Sequence, residues 1–135
     1  MTSPFQTARI LWLAMLVAVG LYAVVLAVLI AQSGTPIDVT AMCRIFMVLV
    51  LGDVVVIYVL RQRLPLAALG TARPGVDAPA VLTTYVTCWA LSEAVALFGL
   101  VLGFLGRSFD EAGPFFIVAA ALLLWQRPRA AHFAS

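Results

Sequence analysis

Glu93 and Asp53 are the residues with chemistry to do, because both acids lie deep within long apolar runs. An ionised carboxylate at the centre of a bilayer costs at least roughly 2.5–3.5 kcal/mol on insertion scales. Each acid therefore needs a proton, a cation or a hydrogen-bond donor. Glu93 falls near the middle of its run, where desolvation favours the neutral acid. A neutral carboxylic acid donates a hydrogen bond, and it releases its proton when water or a cation approaches. That is the chemistry of a proton carrier. The same group bonded to a carbonyl or a hydroxyl is simply interhelical glue, and both roles are open to it. Asp53 lies slightly off the midplane, within about two helical turns of the depth of Glu93. Facing one another, the two would share one proton or one cation, since both cannot ionise cheaply. Gly52 would let a neighbour approach Asp53 closely. A third charge, Arg44, sits about one turn inside its run and snorkels outward to headgroups or to Asp38, Asp110 or Glu111. Nine residues separate Arg44 from Asp53, about half a turn out of phase, which argues against a pair on one helix. Arg44 reads as an interface anchor.

The elements that carry these residues follow from composition. Of 135 residues, 64% are hydrophobic and 10% charged, and the mean hydropathy is +1.12. Soluble domains carry about 25% charged residues, so a water-facing globule and a disordered chain are both excluded. A nucleic-acid partner is not expected without a concentrated basic surface. The fold class is all-α, a polytopic integral membrane protein in a single four-helix domain. Its spans lie at about 10–31, 40–60, 79–105 and 111–126, with a loop at 61–78 and a tail at 127–135. Continuous rather than alternating apolar runs argue against strands. The first span is too long for a signal peptide and reads as a retained anchor. In the short fourth span Asp110 is the expected N-cap, with Pro114 in the first turn.

All eight basic residues are arginine. Arg9, Arg61, Arg63, Arg73, Arg127 and Arg129 fall at the N-terminus, the middle loop and the tail. Arg107 alone occupies a loop on the other side. The positive-inside rule then places both termini in the cytoplasm. Trp12, Tyr58, Tyr85 and Trp125 fall near that same interface, Trp12 and Trp125 as anchors. Arginine without lysine, amid abundant alanine, leucine and valine, suggests a GC-rich bacterial gene and hence an inner membrane.

Val17 to Leu29 (VAVGLYAVVLAVL) and Glu93 to Leu105 (EAVALFGLVLGFL) are identical at six of thirteen positions. This suggests two repeated hairpins in parallel orientation, with Glu93 standing where the first copy has Val17. Each copy carries small residues at helical spacing. They are Gly20, Ala23 and Ala27 in the first, and Ser92, Ala96, Gly99 and Gly103 in the third span. Such stripes let backbones approach in lipid, either within one chain or between chains. Cys43 and Cys88 lie at different depths and read as small apolar residues. His132, the single histidine, lies in the tail, so no catalytic triad, haem pair or zinc set can be assembled. Neither enzyme activity nor a cofactor is expected.

The stretch Ala72 to Leu105 resembles the proteolipid (c) subunit of rotary ATP synthases and vacuolar-type ATPases. An Arg–Pro loop leads into a helix with a mid-membrane carboxylate, and Ala90, Leu91, Glu93, Ala94, Ala96, Leu97, Phe98, Gly99, Leu100 and Val101 fit its pattern. The likeness covers about a quarter of the chain. It implies that Glu93 is the ion-carrying carboxylate of a ring-forming subunit. A proton is the implied ion, since Ala94, Val95 and Phe98 offer no hydroxyls. Three functions remain. The first is a membrane subunit packed against itself or other subunits, with structural acids. The second is a proton-translocating element. The third is a small exporter, for which the first helix offers Val17 where small multidrug transporters carry glutamate.

Overall fold

The computed structural model describes residues 3–32, 34–68, 78–129 and 133, with side chains left undescribed at 63–68 and 78–79. Arg73 and His132 lie outside the described residues. Four helices follow in order: α1 (Pro4–Ala31), α2 (Thr40–Ala68), α3 (Ala78–Gly106) and α4 (Phe109–Trp125). The first three contain stretches long and apolar enough to cross a membrane. The described residues are all-helical, and three such helices are compatible with a multi-pass membrane protein.

Local sequence sets the helix ends. Ser3 caps α1 by accepting from the Gln6 N–H, Gln6 reaches back to the Ser3 backbone, and Pro4 fills the first turn. This capping box starts α1 six residues before the apolar run alone suggests. Helix α2 likewise runs on to Ala68, into the segment expected to be loop. In α4 the expected cap is corrected. Ser108, with extended φ −143 and ψ 146, accepts from the Asp110 N–H. Asp110 and Glu111 then occupy the first turn, where the helix dipole favours acids. Pro114 accordingly falls in the second turn, leaving the Asp110 carbonyl without its helical N–H.

Helix α3 is the centre of the molecule. It packs against α4, α1 and α2, whereas α1 and α2 hardly touch although they are consecutive. The sequence repeat is therefore a repeat of helix faces rather than of packed hairpins. Val19 and Val95 occupy equivalent positions and are buried, as do Leu26 and Leu102. The hairpin α3–α4 closes tightly, but its counterpart α1–α2 is opened by the insertion of α3.

The seams run in a 3.5-residue register. Along α1 the inward stripe is Ala8, Trp12, Met15, Val19, Tyr22 and Leu26, and along α2 it includes Cys43, Phe46, Val50, Ile57 and Leu60. In a bilayer no hydrophobic drive would act between such helices, so close packing would have to hold them. Gly99 and Gly103 provide it. A Cβ on Gly99 would stand 2.8 Å from the Phe115 Cβ and 3.0 Å from the Ala112 carbonyl oxygen. On Gly103 it would stand 2.8 Å from the Ala112 Cβ and 2.5 Å from a Leu26 methyl.

Candidate functional site

The middle of the α1–α3 seam holds one polar contact. The Tyr22 hydroxyl donates a short hydrogen bond to Glu93 Oε1. Tyr22 follows Val19 by three residues in the α1 stripe, and this register aims its ring at α3. Both side chains are half-buried. Tyr22 was not among the candidates from sequence. Its only signal was that it stands where the second repeat copy has Phe98, the two rings differing by the hydroxyl that Glu93 uses.

Asp53 is elsewhere. Phe46 stacks on Phe98 with centroids 4.8 Å apart, which fixes the face of α3 that α2 covers. Phe98 lies five residues from Glu93, about 140° around the helix. The antiparallel register that pairs Phe46 with Phe98 sets Asp53 level with Leu91, close to the depth of Glu93. The two acids thus stand at similar depth on opposite sides of α3, and no shared site forms within the chain. Asp53 continues the α2 register between Val50 and Ile57 and is half-buried. Among the described residues no donor reaches it. About one turn along α2, an apolar groove of about 130 Å³, lined by Met47, Val50, Pro114, Phe115 and Val118, separates α2 from α4.

A second polar cluster surrounds the end of α4. Its 17 residues span only about 25 Å, so its last carbonyls lie well short of the ends of α1 and α3. They have no helical N–H of their own. Each of the other helices sends an N–H instead. Trp12 of α1 donates to the Leu123 carbonyl at 2.7 Å. Arg61 of α2 donates to the Trp125 carbonyl at 2.6 Å. Trp89 of α3 donates to the Gln126 carbonyl at 3.2 Å. Arg61 also lies 4.1 Å over the Trp125 ring. Gln126 Nε2 donates to Ser92 Oγ at 2.9 Å, and the Ser92 hydroxyl in turn donates to the Cys88 carbonyl at 2.9 Å. Sequence reasoning took Trp12 and Trp125 as interface anchors and Arg61 as a loop charge. The signal for a cap was the shortness of the fourth run.

At the opposite end Arg107, with φ 55, donates to the Leu29 and Gln32 carbonyls at 2.5 and 2.9 Å. It closes the C-terminus of α1, where cationic charge is favoured. Gly34 lies against its guanidinium, leaving no room for a Cβ. Asp38 accepts from the Thr40 hydroxyl at 2.7 Å and the Thr40 N–H at 3.0 Å. These bonds hold its carboxyl below the usual carboxylate range.

No family model, curated protein or solved structure matches this chain.

The remaining candidates sort by exposure. Ser92, Ala96, Gly99 and Gly103 are buried within the chain. Gly20 and Ala27 are exposed and Ala23 is half-buried, and a Cβ on Gly20 or Gly52 would meet nothing within 4 Å. Arg44 is exposed, and both cysteines are free.

Proposed function

We propose that this chain is a non-enzymatic subunit of a membrane assembly, packing laterally through α2 against further copies of itself or other subunits. One observation carries the reading. Helix α2 packs chiefly along α3, with Arg61 reaching across to Trp125 of α4, and its half-buried Asp53 finds no donor among the described residues. An unpartnered carboxylate at membrane depth is costly, and a donor on a neighbouring helix lying along the α2–α4 groove removes that cost. The reading includes a bacterial inner-membrane location with both termini cytoplasmic, supported by the arginine distribution.

The test is the mass of the intact particle released from lipid nanodiscs. Wild type is expected to exceed one chain, and Asp53→Leu to fall to one chain. A wild-type particle of a single chain overturns the reading.

A second reading makes Glu93 a proton carrier resembling the proteolipid subunits. What favours it is the Tyr22 hydroxyl, which gives the carboxylate a partner that can hold or yield a hydrogen bond as its proton moves. Carbodiimide labelling of Glu93 that varies with pH, with proton flux lost in Glu93→Gln, would support it. An unreactive Glu93 and unchanged flux would sink it. The exporter reading has no comparable observation in its favour.

A further inference from the structure

We infer that the end of the molecule where α4 stops is a binding site for the phosphate headgroup of an anionic phospholipid, held by Arg127 and Arg129. A groove of about 560 Å³ opens there, lined by Leu124, Trp125, Arg127, Pro128 and Arg129. Both arginines are exposed, and neither guanidinium meets an acceptor among the described residues. A third arginine reaches the same place from α2. Arg61 lies over the Trp125 ring and within electrostatic range of Arg129. Like charges gathered at one edge repel one another, and an anion beside them relieves that repulsion. Among the described residues no carboxylate pairs with these arginines, and no Asp or Glu follows Glu111 in the chain.

The segment is also built rather than loose. Pro128 is buried, the Arg129 backbone hydrogen-bonds Tyr85 of α3, and Phe133 stacks on Tyr85 with centroids 5.7 Å apart. The backbone that presents the two guanidiniums is therefore fixed against α3. Trp125, exposed on the groove wall, sits as interfacial tryptophans do, with its ring at headgroup level. Basic pockets of this kind at helix ends take phosphate headgroups. The acyl chains would run down the apolar flank of α4 past Leu124 and Ile117, which are 57% and 71% exposed. That flank selects a lipid over a free phosphate ion.

The full chain in nanodiscs of mixed phosphatidylglycerol and phosphatidylcholine tests this, with retained lipid read by native mass spectrometry. Phosphatidylglycerol is expected to be retained roughly tenfold over phosphatidylcholine, as two interfacial arginines allow. Arg127→Gln with Arg129→Gln should abolish the preference. Arg9→Gln with Arg44→Gln, which removes equal charge elsewhere, should keep it, and excess inorganic phosphate should not displace the lipid. Equal retention of the two lipids by wild type overturns the inference. So does loss of preference in the Arg9/Arg44 control, or displacement by inorganic phosphate.

Discussion

At the scale of single residues, the Tyr22–Glu93 bond is the contact with most to report. Interhelical polar contacts in lipid average about 0.6 kcal/mol and reach about 1.7. A double-mutant cycle of Tyr22→Phe and Glu93→Gln, read by unfolding in mixed detergent micelles, should give a coupling in that range. A coupling of zero would mean the pair contributes nothing. The acid was legible in sequence because a charge in an apolar run stands out. Its partner was not, because a tyrosine among aliphatic residues can face lipid, headgroup or helix equally well. Asp38 permits a pH prediction. Its folded pKa lies below the unfolded value of about 3.9, held there by the two Thr40 donors. What it contributes to the first turn of α2 is fully present above about pH 4 and is lost as pH falls through the folded value. The Thr40 amide resonance should titrate below pH 4, and Asp38→Asn should remove that titration.

At the scale of the helices, the spans could be read directly and their faces could not. Long apolar runs between turn-forming residues reveal crossings whatever the helices contact. Which side of α1 meets α3 leaves no trace, because lipid outside is as apolar as protein inside. The small-residue stripes illustrate the difference. On α3 the stripe is buried against α4 and α1, while on α1 it faces outward, from nearly the same sequence. Gly99→Ala should therefore cost about 1–3 kcal/mol by overpacking against Phe115 and Ala112. Gly20→Ala should be neutral or stabilising by up to about 1 kcal/mol through helix propensity. The end of α4 offers a second contrast. Trp89→Phe keeps an aromatic ring but withdraws the N–H from the Gln126 carbonyl, which should cost about 1–3 kcal/mol. Trp125→Phe, whose indole N–H serves no carbonyl among the described contacts, should cost less. The same detergent titration ranks all four variants, and an equal cost for Trp89→Phe and Trp125→Phe would dismiss the cap.

At the scale of the whole molecule, the uneven packing is the main fact. Three helices are stitched together by glycine contacts, the Tyr22–Glu93 bond and the side chains that close α4. Helix α2 is attached along its seam with α3 and through Arg61 to the end of α4, with Met47, Val48 and Val56 left 57%, 70% and 47% exposed. For a chain alone in lipid these residues would meet acyl chains, as Val17 and Val24 of α1 do at 61% and 60% exposed. Lateral assembly through α2 predicts an asymmetry between the two helices that the single chain does not have. Nitroxides at Met47→Cys and Val48→Cys, on a background lacking Cys43 and Cys88, should collide with dissolved oxygen less often than nitroxides at Val17→Cys and Val24→Cys. The comparison holds whether the neighbour is another copy or a different subunit, provided the assembly is kept in its native lipid. In Asp53→Leu the α2 labels should rise to the α1 level, because the donor that meets Asp53 then has nothing to hold. Equal collision rates on α1 and α2 in the wild type would mean that α2 faces lipid and that Asp53 is simply a protonated, solitary acid.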